Sequence, residues 1–327
     1  MTPDTPPRPC PFAGPAGLAG ILPALRCPVC GGGLYGGGDV RCAVGHSFDL
    51  GRGGYLSLRS GRSRRITGDT PAMVAAREAF LGAGHYAPLT ARLGALATAA
   101  CITHPTGTAP TILEIGAGTG HHLAGVLAVL DREAVDPGVA DHGAWGIAVD
   151  VAPPALRRAA RAHPRIGAVS FDAAGGWPVA DGSVDVLLDV FAPRHPAEMH
   201  RVLRSGGLLL VVTPGPAHLA ELRGALGLVG MQPDKDDQLA GRLAGHFVPG
   251  PVERLDVPLA LPLPAVVDLA LMGPTGHHHT RDDLSRAAVA TWASGADITG
   301  PGGVPDTTVA VTASFRVHPF RPAPVSA

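Results

Sequence analysis

The stretch TILEIGAGTG, residues 111–120, decides the fold of this chain. A short apolar run leads directly into three glycines at alternate positions, and the following HHLAGVLAVL has helical spacing. A strand, a glycine turn and a helix in this order predict the first βα unit of a doubly wound α/β sheet, where glycine lets a ligand approach the backbone closely. The candidate cofactor residues of this turn are Glu114, Gly116, Gly118 and Gly120.

Four more apolar runs fit the remaining parallel strands of such a sheet. They lie at 145–150, 168–172, 184–189 and 208–213. Ligands bind at the carboxyl ends of these strands, so an acid at a strand end is a candidate ligand. Asp150 closes the second strand, where one carboxylate holds both ribose hydroxyls, although an ordinary strand-end acid is the alternative for it and for Asp172.

The glycine turn differs from the GxGxxG of dinucleotide-binding folds. Its pattern, E-x-G-x-G-x-G, resembles motif I of class I S-adenosylmethionine-dependent methyltransferases. The resemblance implies S-adenosylmethionine as cofactor, with Glu114 at its methionine end and Asp172 at its adenine amino group. His121 and His122, which follow the turn directly, join the candidate cofactor residues.

Four of the five cysteine and histidine residues nearest the N-terminus have the spacing of a zinc ribbon. Cys27 and Cys30 form a CxxC knuckle, and Cys42 with His46 forms a CxxxH pair eleven residues later. A Cys3His set fills all four positions of tetrahedral Zn²⁺, so the predicted site is structural rather than catalytic. A redox CxxC with an unrelated His46 is the alternative.

A basic segment follows the predicted zinc site. Six arginines and one acid lie between residues 41 and 65, although the whole chain has a formal net charge of −1. Such a local excess predicts contact with phosphates, and a solvated loop is the alternative. Aromatic rings can stack on bases, but we cannot decide from the sequence whether Tyr55 does so or belongs to a small core. The RNA-binding candidates are Arg52, Tyr55, Arg59, Arg62, Arg64, Arg65 and Arg194.

Length and composition limit the protein class. The 327 residues include 45 Gly and 33 Pro, but 46% are hydrophobic, so neither a fibrous nor a wholly disordered chain fits. No apolar run is long enough to span a membrane, and we expect a cytoplasmic protein. The predicted organisation is a flexible tail at 1–25, a zinc module at 26–68, a helical connector at 69–104, a methyltransferase domain at 105–320 and a tail at 321–327.

The chain from about Arg26 to about Pro319 resembles the RlmA-type 23S rRNA (guanine-N1)-methyltransferases, which include macrolide-resistance members. The resemblance implies a zinc module that docks RNA, methylation of guanine N1 in hairpin 35 of 23S rRNA, and a homodimer. The motifs that carry it are Cys27-Pro28-Val29-Cys30 with Cys42 and His46, Gly68-Asp69-Thr70, Ala76-Arg77, Gly84-His85-Tyr86, the glycine turn, Phe191-Ala192-Pro193-Arg194 and Thr213-Pro214-Gly215-Pro216.

The fourth strand end supplies the candidate catalytic residues. Asp189 is a hypothetical acceptor for the proton of guanine N1 or for its 2-amino group, with Phe191 stacking nearby; binding the cofactor or capping a loop is the alternative for Asp189. Two other functions stay open: a small-molecule methyltransferase on the same scaffold, and a non-catalytic zinc and RNA-binding protein.

Overall fold

The computed structural model describes residues 14–37, 39–59, 67–102, 108–133, 143–228, 235–293 and 307–324. The helices in these ranges are α1 (Ala16–Ile21), α2 (Pro71–Gly82), α3 (Ala87–Cys101), α4 (His121–Glu133), α5 (Pro153–Ala162), α6 (Pro196–Val202), α7 (Ala220–Leu226), α8 (Lys235–Leu243), α9 (Leu263–Leu271) and α10 (Arg281–Trp292). Two 3-10 helices lie at Leu22–Ala24 and Pro274–His277.

The strands fall into a small sheet and a large one. The small sheet contains β1 (Leu34–Gly36), β2 (Val40–Cys42) and β3 (Ser47–Phe48). The large sheet contains β4 (Leu50–Gly51), β5 (Tyr55–Ser57), β6 (Thr111–Ile115), β7 (Trp145–Val149), β8 (Ile166–Ser170), β9 (Val184–Val190), β10 (Leu203–Pro214), β11 (Phe247–Pro249), β12 (Glu253–Pro262) and β13 (Thr308–Pro322).

The centre of the large sheet is parallel and doubly wound. Its strands run in the order β8-β7-β6-β9-β10, so β6 pairs with β7 on one side and with β9 on the other. The order reverses at this point, and such a reversal opens a crevice at the carboxyl ends of the strands. The predicted class I methyltransferase sheet is thereby confirmed, and the glycine turn after β6 lies at the crevice.

Apolar packing covers both faces of the sheet. The residues of β8 are buried throughout, as expected of a parallel strand between two layers of helices. One core cluster joins α3, α4, α9 and α10 to one face, and a second joins α1 and the zinc region to the other. α2 and α3 lie within the stretch 69–104, and the Thr70 hydroxyl caps α2 by accepting from the Met73 N–H at 3.3 Å.

The N-terminal segment differs from the predicted flexible tail. Within the described residues, α1 packs on the sheet with Leu18 and Ile21 buried. Gly17 makes this close approach feasible, because a Cβ there would lie 2.2 Å from the Ile166 carbonyl oxygen. Gly17 lies in the stretch that was expected to be a flexible tail, and its lack of a side chain lets the helix lie against a strand. Residues 1–13 lie outside the described part of the chain.

The predicted boundary at residue 68 does not separate two hydrogen-bonded units. β5 pairs in parallel with β8, so the strands that follow the zinc region extend the large sheet. The zinc region is joined again through Arg26, whose N–H donates to the Pro178 carbonyl at 2.9 Å, and through a bridge between Leu25 and Val179. At the C-terminus, β13 runs antiparallel to β10 and carries the sheet to Pro322.

Among the helices of the described ranges, none combines the length and the apolar character needed to cross a bilayer.

Candidate functional site

A cavity of about 710 Å³ opens at the carboxyl ends of the central strands. Its walls come from the glycine turn, from the ends of β7 and β9, from α2, and from residues 272–275 after α9. This volume is typical of small-molecule and cofactor sites. The strand-end candidates Glu114, Gly116, Asp150, Asp172 and Phe191 all line it, as do His121 and His122.

Asp150 holds the glycine turn in place. Its Oδ2 accepts from the Gly118 N–H at 2.9 Å, and its Oδ1 accepts from the Ala152 N–H at 2.8 Å. Gly118 has φ 56°, in the left-handed region that favours glycine. Burial raises the pKa of Asp150, while these two amides oppose that rise. Each carboxylate oxygen keeps a second lone pair, so the side chain can still accept from a ribose hydroxyl.

Glu114 is buried at the base of the turn. Its Oε2 accepts from the Leu123 N–H at 3.1 Å, which caps the first turn of α4. Burial raises the pKa of Glu114 to about 8, so the carboxyl is largely protonated at neutral pH until a cation approaches it. The ammonium and sulfonium of S-adenosylmethionine are such cations.

The two histidines after the turn differ in role. His122 is buried, and its Nδ1 lies 2.8 Å from the Thr90 hydroxyl on α3. Burial lowers the pKa of His122 to about 3, so it is neutral and ties α4 to α3. Burial also lowers the pKa of His121. His121 is therefore an uncharged part of the cavity wall.

The residues present fit S-adenosylmethionine. Asp172 follows the end of β8, lines the cavity and accepts from the Ala174 N–H at 2.9 Å through Oδ1 only, leaving Oδ2 for an amino group. The cavity floor is bare backbone at Gly116, where a Cβ would lie 2.8 Å from the Ala192 Cβ. Glu114 before the glycine turn, and Asp150 and Asp172 at the ends of the next two strands, thus line the cavity as the resemblance implies.

The Asp189 carboxylate is fully buried and does not line the cavity. Its Oδ1 accepts from the Ala192 N–H at 3.1 Å, and Oδ2 lies 3.1 Å from the Arg194 Nε. Burial raises the pKa of Asp189 to about 7, although the Arg194 charge opposes the shift. Of the three roles that the sequence left open, the geometry favours capping the loop after β9. Arg194, predicted to contact RNA, is engaged by this ion pair.

Phe191 projects into the cavity from a strained backbone. Its φ is 58°, which is costly for a residue with a bulky side chain, and its side chain is 45% exposed. Behind it lie rings that the sequence analysis did not assign to the site. The Phe191 ring centroid is 5.9 Å from that of His218 and 6.2 Å from that of Phe315, and Tyr86 lies 4.8 Å from Phe315. This aromatic wall can accommodate a planar base.

Arg77 on α2 also lines the cavity and had no predicted role. Its Nη2 donates to the Met272 carbonyl at 2.7 Å and lies 2.8 Å from Asp69 Oδ2. The motif Ala76-Arg77 was visible in the sequence, but no local spacing connects Arg77 with Met272. His277, from the three-histidine run, also lines the cavity.

The four predicted metal ligands converge. The Cys30 and Cys42 sulfurs lie 3.7 Å apart, and the His46 Nδ1 lies 3.3 Å from the Cys42 sulfur and 3.6 Å from the Cys27 sulfur. In a tetrahedral zinc site two thiolates are about 3.8 Å apart, and a thiolate and an imidazole nitrogen about 3.5 Å. Although burial opposes it, backbone amides of His46 and Val44 lower the pKa of the Cys42 thiol to about 6. These residues fit Zn²⁺.

The predicted basic segment is described only in part. Arg52 is exposed at the turn between β4 and β5, and Arg59 is half-buried. The Tyr55 ring packs over Gly51, where a Cβ would lie 2.2 Å from it, and against the core, which favours the core role that the sequence left open. Arg62, Arg64 and Arg65 lie outside the described residues.

Comparison with known proteins identifies relatives. No protein-family model matches the chain. It is 44% identical over 267 residues to a Streptomyces fradiae 23S rRNA (guanine(748)-N(1))-methyltransferase, covering 81% of this chain and 90% of that one. It is 43% identical over 319 residues to a Micromonospora griseorubida protein whose proposed activity is 23S rRNA (guanine-N(1)-)-methyltransferase, covering 92% and 98%. A Bacillus subtilis protein, YxjB, with the same proposed activity is 32% identical over 61% of this chain and 67% of its own length.

Solved structures give weaker similarities. Haemonchus contortus phosphoethanolamine N-methyltransferase 2 in complex with S-adenosyl-L-methionine has a TM-score of 0.40 at 15% identity, covering 77% of this chain and 57% of that chain. The two relatives above 40% identity match most of both chains. From that similarity it follows that this chain belongs to the 23S rRNA (guanine-N1)-methyltransferase family.

Proposed function

We propose that this protein transfers the methyl group of S-adenosylmethionine to N1 of a guanine in 23S rRNA. The observation that carries the proposal is the 44% identity to an enzyme whose name specifies guanine 748 and N1. The glycine turn with its three carboxylates and the aromatic wall support it, because they supply a cofactor cradle and a place for a base in one cavity. The family resemblance favours hairpin 35 as the part of 23S rRNA that is methylated. It also favours a role of this methylation in macrolide resistance.

The chemical problem is the acceptor rather than the donor. When bound, S-adenosylmethionine supplies a methyl group on an electrophilic sulfonium. Guanine N1 carries a proton, so the site must orient the base and let that proton leave as the new bond forms. Bases recognised by proteins in RNA are usually unpaired and are held by stacking on aromatic rings. The exposed Phe191 ring meets this need at the mouth of the crevice.

Asp189 then acts as a positioning residue. Its carboxylate accepts from the Ala192 N–H and pairs with Arg194, so it fixes the loop that presents Phe191. A direct part in proton removal would require the carboxylate to leave a fully buried position. The strain at Phe191 is maintained by these contacts on the residues that follow it.

We propose that Cys27, Cys30, Cys42 and His46 hold a structural zinc ion, and that the zinc region docks the RNA. The ligand distances support zinc, and the excess of arginine between residues 41 and 65 supports contact with phosphates. The homodimer that the family resemblance implies, and a cytoplasmic location where ribosomal RNA is found, belong to the same proposal.

Primer extension on treated 23S rRNA tests the proposed function. A methyl on N1 blocks Watson–Crick pairing, so reverse transcriptase should stop one nucleotide before the modified guanine. We expect one new stop in hairpin 35 that requires both protein and S-adenosylmethionine. Cofactor turnover with a small-molecule extract but no stop on RNA would instead favour a small-molecule methyltransferase, and cofactor binding without any turnover would favour a non-catalytic protein.

Replacement of Phe191 by glycine should separate catalysis from stability. Glycine adopts φ 58° without strain but removes the ring, and stacking on an aromatic side chain contributes roughly 1–3 kcal/mol per base. We expect kcat/KM for RNA to fall by roughly 5- to 150-fold, while the free energy of unfolding changes by less than about 1 kcal/mol.

Phe191→Ala is the matched control, because it removes the same ring but keeps the strained backbone. It should show the same kinetic loss with lower stability in a thermal melt. Unchanged methylation of RNA by both variants would exclude stacking on Phe191.

A further inference from the structure

Arg77 is a positively charged residue of the cofactor cavity to which no function has yet been assigned. The side chain of Arg77 is 26% exposed and lies over the glycine turn, since a Cβ built at Gly118 would be only 2.7 Å from its Nη1. The guanidinium therefore lies beside the glycine turn, and Arg77 lines the same cavity as Gly116 and Ala117. The positive φ of 56° favours glycine at position 118.

Two contacts orient the guanidinium, one from the distant Met272 and one from Asp69 just before α2. Both involve Nη2, which donates to the Met272 carbonyl and faces the Asp69 carboxylate. Throughout the part of the chain that the structure describes, no acceptor bonds Nη1. Nη2 of the guanidinium is thus held by protein contacts, whereas Nη1 lies next to Gly118.

The charges nearby show what that edge can bind. Asp69, Glu114 and Asp150 are carboxyl groups at this end of the cavity, and they suit a cation. Burial raises the pKa of Glu114 and of Asp150, and the Arg77 charge acts against both shifts, which shows that it reaches both groups. An α-amino acid carries an ammonium and a carboxylate on one carbon. The carboxyl groups at this end of the cavity complement the ammonium, and the Arg77 guanidinium complements the carboxylate.

The other arginine of the cavity wall is committed elsewhere. Arg223 Nη2 donates to the carbonyls of Pro216 and His218, at 2.9 and 2.7 Å, on the aromatic side of the cavity. Within the described wall, Arg77 is therefore the guanidinium nearest the glycine turn.

We propose that Arg77 binds the carboxylate of the methionine moiety of S-adenosylmethionine through its Nη1 edge. The inference rests on the proposed use of this cofactor, but not on the identity of the methyl acceptor. Arg77 is a cofactor-binding residue on a helix outside the α/β sheet, so α2 and the segment at Met272 complete the cofactor site.

Decarboxylated S-adenosylmethionine, which keeps the ammonium and the sulfonium, provides the test. Calorimetry on the full chain should show that Arg77→Gln weakens binding of S-adenosylmethionine by roughly 10- to 100-fold, the usual effect of losing one charge-assisted hydrogen bond. Binding of the decarboxylated compound should change by less than about 3-fold, so that the two affinities converge. Arg77→Lys keeps the charge without the fork and should lie between the wild type and Arg77→Gln.

Arg158→Gln is the matched control. It removes another arginine ion pair to α2, between Arg158 and Glu78 at 2.6 Å, but neither residue lines the cavity. We expect it to leave both affinities unchanged.

An equal loss for both compounds in Arg77→Gln and Arg77→Lys would overturn the inference and leave Arg77 as a tie between α2 and Met272. Unchanged binding of both would overturn it as well. If the wild type and the two Arg77 variants show the expected affinities for both compounds, but the wild type gives no stop on 23S rRNA, the RNA proposal fails and the Arg77 assignment stands. If the wild type binds neither compound, both fail.

Discussion

Replacing Cys42 with serine is expected to abolish zinc binding and to weaken RNA binding strongly. The Cys42 sulfur is buried and lies at 3.3 and 3.7 Å from two of the other ligand atoms, so a hydroxyl there removes a thiolate from a closed set. Losing hydrogen bonds around a metal ligand already weakens binding by about 10- to 100-fold, and losing a ligand costs more. Elemental analysis should show zinc falling from one ion per chain to none.

The effect should extend beyond the zinc region. Leu25, Cys27 and Val40 belong to the same core cluster as residues of the central strands. Structural zinc contributes about 10–16 kcal/mol to the folding of isolated zinc-finger peptides, so even a fraction of that is large for a domain. We expect the melting temperature of the whole protein to fall, and a chelator to lower the melting temperature of the wild type in the same way.

Cys101→Ser provides the control. It makes the same chemical change at a half-buried thiol on α3. Cys101 lies far from the four predicted metal ligands in the sequence and packs against the other core cluster. It should retain one zinc ion and normal RNA affinity. If Cys42→Ser also retained its zinc, or lost it without any change in RNA affinity, the proposed zinc-dependent docking of RNA would be contradicted.

The parts of the fold that the sequence predicts are those encoded by local spacing. The apolar run before Glu114, the positive-φ glycines and the helical pattern after Gly120 lie within about twenty residues, and the structure has each of them. The convergence of the Cys3His set is equally local. Such patterns follow from backbone conformation and from coordination geometry, which depend little on the rest of the chain.

The parts that the sequence does not predict depend on distant partners. The segment containing Gly17 has the composition of a loop, and only the Ile166 carbonyl beside it shows why small residues are required. The pairing of β5 with β8 joins positions more than a hundred residues apart. Arg77 and Met272 are separated by 195 positions, so no spacing could indicate their contact.

The burial of Asp189 shows a further limit. Position in the chain identifies the end of a strand, and strand ends line the crevice, so Asp189 and Phe191 were equal candidates. Alternation along β9 turns Asp189 toward Arg194, and the left-handed backbone at residue 191 turns the ring outward. Phe191, with its positive φ, lines the cavity, whereas Asp189 is buried away from it.

Asp150→Asn should cause the second large effect, although it changes only one atom. Both carboxylate oxygens accept from backbone amides, those of Gly118 and Ala152. An asparagine has one oxygen and one NH2 group, so in either orientation a donor faces a donor. A buried N–H without an acceptor costs about 1–3 kcal/mol. We expect lower stability and, because the displaced amide belongs to the glycine turn, a loss of S-adenosylmethionine affinity of up to roughly 150-fold.

Asp172→Asn is the matched comparison, because the structure assigns only one of its oxygens to a backbone amide. The asparagine oxygen can keep the bond from the Ala174 N–H, so only the proposed contact with an adenine amino group would be lost. Calorimetry should show roughly a 10-fold weaker cofactor affinity with an unchanged melting temperature. Equal losses in the two variants would mean that Asp150 acts on the ribose alone, and that the conformation of the glycine turn does not depend on its two hydrogen bonds.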